Sequence, residues 1–198
     1  MWHRTLTVAV ITILFATPAW AHTGAGASGG FLHGFTHPLS GLDHFLAMVA
    51  VGMWSAFLGR PLVWVLPVTF PLIMIVGGAF AVLGVPVPMV EGLIAASVVV
   101  LGVAILVGWR APAAVAVAMI ATFGFVHGYA HGTELPHAAL PAAYASGFVL
   151  ATVLLHLSGI ALGLALTRQP VGMMPLRTVG ALIAATGVWL AAAPLAIS

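Results

Sequence analysis

Six apolar blocks, each long enough to cross a bilayer, follow one another at residues 38–58, 62–83, 89–109, 112–132, 138–166 and 174–197. A hydrocarbon layer about 30 Å thick needs roughly 20 helical residues. Lipid-facing backbone must satisfy its own hydrogen bonds, so each block has to be a helix. Pro, Gly and Arg stand at the breaks, and no soluble domain, long linker or low-complexity tract interrupts the series. The fold class expected is therefore all-α: one polytopic membrane bundle of six helices over residues 22–198. Charge agrees, because only 4% of residues are charged. A water-facing surface typically needs about a quarter. No basic cluster is present, which excludes a nucleic-acid partner. Lipid is the expected surround, and a homo-oligomer is compatible with such a surface. With no cysteine in the chain, disulfides, thiolate metal sites and cysteine nucleophiles are excluded together.

Residues 1–21 have the form of an export signal. Arg4 supplies the positive start, Leu6 to Ala16 is a short apolar core, and Pro18 breaks it. Ala19-Trp20-Ala21 is a small-x-small cleavage site. An uncleaved first helix is the alternative reading. Cleavage would make His22 the first residue, with Thr23 to Gly30 as a flexible tether. The free amine and imidazole of His22 could then chelate a metal together.

Direction follows from the arginines. With the mature N-terminus outside, Arg60, Arg110 and Arg168 fall in inner connections and Arg177 lies just inside the last span. The other polar residues then gather at the opposite leaflet. His33 and His37 precede the first span, and Asp43 and His44 lie in its first two turns. Glu91 opens the third span, His127, His131 and Glu134 finish the fourth, and His137 opens the fifth. Only His156 sits deeper.

His127 and His131 stand four apart and share a helical face one turn from each other. Two imidazoles at that spacing can grip one metal ion. Glu134 continues the face, at a helix end where the macrodipole favours a cation. Gly124, Gly128 and Gly132 flank the pair at the same spacing. Small residues in that pattern let another helix approach closely, which serves packing and could also admit the polar groups of a second span. Glycine also weakens the helix there, so partial unwinding of the last turn is expected.

The first span is the expected partner. Pro38 suits a helix start. His37 and His44 are seven apart, which separates them by about 10 Å on a continuous helix. One ion then reaches both only if the start is unwound. Asp43 points about 100° from His44 around the helix, as a partner that orients a ligand would. Met48 lies one turn beyond His44, as a packing residue or a soft neighbour of the ion. Polar groups inside a membrane mark function by default, so Glu91 and His156 are candidates for the pathway. Structural hydrogen bonds are the alternative for both.

HPLSGLDHFLAMVAVGMW (residues 37–54) and FVHGYAHGTELP (residues 125–136) together resemble the signature stretches of the HupE/UreJ family of bacterial membrane proteins. The signal peptide, the His-Thr-Gly start after Ala21 and the six later spans look similar too. The resemblance implies secondary transport of Ni²⁺, sometimes Co²⁺, across the cytoplasmic (inner) membrane, serving enzymes such as hydrogenase or urease. It also implies that His37, Asp43, His44, His127, His131 and Glu134 are the functional positions. The metal is then a transported substrate, not a tightly bound cofactor.

The residues support a compatible mechanism. Imidazole and carboxylate without thiolate suit Ni²⁺, Co²⁺ or Zn²⁺. No phosphate-cradling loop is present, so the membrane potential is the expected driving force. His22 and His33 would collect the ion, the clustered groups would strip its water, and Glu91 and His156 would line the exit. No catalytic residue is assigned. Two other classes remain open at this stage. Ser40, Asp43 and the histidines could hold a Zn²⁺ that activates water, or the site could bind metal without conducting it.

Overall fold

The computed structural model describes residues 30–134, 140–169 and 171–192. The export signal, His22 and His137 lie outside the described residues, as does the side chain of Glu134. Among the described residues seven helices run in order: α1 Phe31–Ser40, α2 Leu42–Leu58, α3 Leu62–Val82, α4 Val90–Val107, α5 Ala113–Glu134, α6 Pro141–Thr167 and α7 Met174–Ala192. α3 to α7 are each long and apolar enough to cross a membrane, and α1 and α2 pass the same test only as a pair. The chain is thus an all-helical, polytopic membrane bundle.

The first span departs from expectation. It does not run unbroken from residue 38: α1 and α2 meet at Gly41 with a bend of 83°. Pro38 lies inside α1, near its end, and does not start the span. Lacking an N–H, it weakens the last turn of α1. The break performs what an unwound start would have done, because it folds His37 back towards His44.

α2 is the hub of the bundle. From Ala47 to Phe57 only Val49 escapes full burial. α6 packs along α2, and α3 and α4 flank it. Around this hub the remaining helices pair as α3 with α5, α4 with α7, and α1 with α6. Small residues set the pairings. A Cβ added at Gly52 would strike the backbone of His156, and one at Gly159 would strike Val49. Helices therefore approach to backbone contact, which association without a hydrophobic drive requires.

The glycine pattern on α5 is used in the same way. Cβ atoms at Gly124, Gly128 and Gly132 would meet the backbones of Phe70, Met74 and Gly78 in turn. The partner is α3, not the first span. Close packing there also keeps α5 helical through Glu134, contrary to the expected unwinding. At the far end α4 stops at Gly108, whose φ of +65° suits a residue without Cβ. Beyond it the Arg110 guanidinium lies 4.8 Å above the Phe57 ring.

The outer faces of the spans are largely apolar, and five histidines are inside. Val68, Leu72 and Ile75 of α3 and Leu154 and Leu157 of α6 face outward. His37, His44, His127, His131 and His156 are all buried.

Candidate metal site

Four histidines from three helices meet near the α1–α2 bend. His44 of α2 and His131 of α5 have ring centroids 4.5 Å apart, and His37 of α1 lies 4.9 Å from His131. His127 lies 5.1 Å from His44 on the other side. His37 and His44 are brought to 6.3 Å, well within the separation a straight helix would impose. The expected pair on α5 and the expected residues of the first span thus share one cluster.

Hydrogen bonds fix the protonation pattern of two of these rings. The Nδ1–H of His44 donates to Oδ1 of Asp43 at 2.7 Å, and the His44 backbone N–H donates to the same oxygen at 2.8 Å. The Nδ1–H of His127 donates to the carbonyl of Phe123 at 2.8 Å. A carbonyl or carboxylate oxygen can only accept, so each ring carries its proton on Nδ1. In the neutral rings both Nε2 atoms then present lone pairs. Both are buried, with no hydrogen-bond partner among the described residues. A buried polar atom left in that state costs free energy. Metal-binding histidines have this arrangement, with Nδ1–H anchored and Nε2 bare.

Aromatic rings wall the cluster. Phe148 of α6 lies 4.3 Å from His131, and Tyr144 lies 6.0 Å from His37. Phe70 of α3 closes the inner side, 5.3 Å from His127. Sequence reading missed all three; for Tyr144 and Phe148 the four-residue spacing they share with Thr152 and His156 on α6 was the available signal. His33 is exposed at the mouth, 6.4 Å from His37 and 5.9 Å from Tyr144. The rings pack edge to face, and among the described residues no three His, Asp or Glu groups are posed to hold an ion as they stand. Closing round an ion requires the rings to turn.

The other candidates lie elsewhere. Met48 is fully buried in the core one turn beyond His44. Glu91 is exposed in the first turn of α4. His156 is buried beyond Phe70, and its Nδ1–H donates to the carbonyl of Pro67 at 3.2 Å. Pro71 explains that bond. It lacks the N–H that would otherwise serve the Pro67 carbonyl within α3. Ser40 is exposed, and its hydroxyl donates to the His37 carbonyl at 2.8 Å.

Fold and site together define a polytopic membrane helix bundle with a buried histidine cluster at one end. A family model described as HupE / UreJ protein matches residues 9–190. The chain belongs to the HupE/UreJ family. It is 38% identical to "Protein HupE" of Rhizobium leguminosarum bv. viciae, over 96% of this chain and 98% of the relative. No solved structure matches.

Proposed function

We propose that this protein is a secondary permease that passes Ni²⁺, with Co²⁺ as an alternative substrate, inward across the bacterial cytoplasmic membrane. The ion would supply nickel enzymes such as hydrogenase or urease. The mature N-terminus lies outside in this reading, so the histidine cluster faces the periplasm and the four arginines face the cytoplasm. One observation carries the reading: the bare, buried Nε2 atoms of His44 and His127 come from separate helices into the same cluster. Both have Nδ1–H anchored.

His22 and His33 would collect the ion. His37, His44, His127 and His131 would replace its water, with Asp43 orienting His44 and Glu134 adding charge from the end of α5. Neutral nitrogen and carboxylate oxygen suit a borderline divalent ion. Two charges moving inward gain about 4.6 kcal/mol per 100 mV, twice the single-charge value. The membrane potential is therefore a sufficient drive.

Membership of a transport or accessory family weighs against the hydrolase reading. So does Ser40, whose hydroxyl is engaged with backbone. The test is uptake of ⁶³Ni²⁺ into proteoliposomes under an imposed potential, with Co²⁺ and Zn²⁺ as competitors. Accumulation that depends on the potential supports a permease. Saturable binding without accumulation would indicate a sensor or chaperone.

A further inference from the structure

Beyond Phe70 the bundle holds a second pair of bare polar atoms. His156 is 1% exposed, and with its Nδ1–H given to Pro67 the neutral ring leaves Nε2 bare and buried, with no partner among the described residues. One turn nearer the cluster on the same face of α6, Thr152 is 0% exposed. Its hydroxyl also has no partner among the described residues. That is exceptional here. Every other described threonine and serine turns its hydroxyl back to a carbonyl three or four residues earlier. Thr152 has the Phe148 carbonyl at the same spacing and does not use it. Helical threonines ordinarily make that bond, and a bare hydroxyl in an apolar interior is costly.

Phe70 separates this pair from the cluster above. Its ring centroid is 5.3 Å from His127 and 5.4 Å from His156, which it meets edge-on at 89°. The ring is fully buried. One bare Nε2 therefore belongs to the histidine ring on each side of it. His156 lies roughly 22 Å along α6 from that helix's first residue, past the midpoint of its 27 residues.

We propose that Thr152 and His156 form a second cation station, deeper than the four-histidine cluster, and that Phe70 is the partition an ion passes between the two. One imidazole nitrogen and one hydroxyl oxygen are few ligands for a transition-metal dication. An ion there keeps part of its water and is held weakly. Conduction needs sites weak enough to leave as well as to enter. The station rests on the permease reading.

The test is Ni²⁺ flux into proteoliposomes by wild type, Thr152→Val and Thr152→Ser, with the thermal midpoint of each purified protein. Valine keeps the branched shape and exchanges only the hydroxyl for a methyl group. Because that hydroxyl bonds nothing, a purely structural role predicts unchanged flux. The station predicts a fall of about tenfold in Thr152→Val, equivalent to one lost hydrogen-bond-strength ligand, at an unchanged or raised midpoint. Thr152→Ser is expected to retain flux within about threefold. Wild-type flux in Thr152→Val overturns the station and leaves the permease standing. Equal loss in Thr152→Ser also overturns the station, since the hydroxyl would not be what matters. Absence of flux in wild type overturns the permease and the station with it.

Discussion

Asp43 and His44 are neighbours in sequence, and the Asp43 carboxylate accepts both the Nδ1–H and the backbone N–H of His44. One acid thereby holds the ring and selects its tautomer. In the proposed site Asp43 would act through His44 and would not itself be a ligand. Replacing it by Asn keeps the shape and removes the charge. The amide can present its NH₂ to the ring and reverse the proton pattern. Asp43→Asn is expected to weaken Ni²⁺ binding about 10- to 100-fold, the usual effect of losing such a partner. Calorimetry on purified protein checks this. Unchanged affinity would remove Asp43 from the site.

The α3–α5 seam is expected to tolerate no side chain at Gly128. An added Cβ would collide with the Met74 backbone. Gly128→Ala must push the helices apart and shift His127 relative to Phe70. Overpacking of this kind costs about 1–3 kcal/mol. Gly92 in α4 is the control, because a Cβ there meets nothing within 4 Å. Gly92→Ala should be neutral or stabilising by up to about 1 kcal/mol. Thermal unfolding in detergent distinguishes them.

His156 and Pro71 are expected to be coupled. His156→Leu leaves the Pro67 carbonyl without a donor, at a cost of about 1–3 kcal/mol. Pro71→Ala restores the N–H within α3, so the same change should cost much less in that background. A double-mutant cycle on thermal stability measures the difference. Additive effects would mean that the bond to Pro67 does not stabilise the fold.

Protons compete with metal for the same lone pairs. A protonated imidazole cannot bind the ion, so acidification removes ligands and never adds them. Uptake is expected to fall as external pH is lowered into the acid range. Uptake at fixed potential and varied pH checks it. A flat or rising profile contradicts a histidine gate.

Much of the fold was legible because lipid imposes it. Spans from α3 onward follow directly from apolar length, and the His127–His131 pair follows from helical period. The α1–α2 break was not legible. Gly41 adopts ordinary extended backbone, φ −86° and ψ 115°, and nothing local demands a right-angle turn there. The turn is held from outside, where Gly34 and Gly147 let α1 lie against α6. Phe70 was equally hidden, because one aromatic among apolar residues gives no signal until its neighbours are known. The bond from His156 to Pro67 spans 89 residues. Its cause was visible all the same, since Pro71 leaves a carbonyl deep in lipid that must find a donor.

The most direct measurement is the X-ray absorption spectrum of purified protein loaded with one equivalent of Ni²⁺, compared with His44→Ala and His131→Ala. An ion held by the histidine cluster gives a nitrogen–oxygen shell with imidazole scattering from more than one ring, weakened in each variant. A shell of water oxygens alone, or one identical in all three proteins, would contradict it.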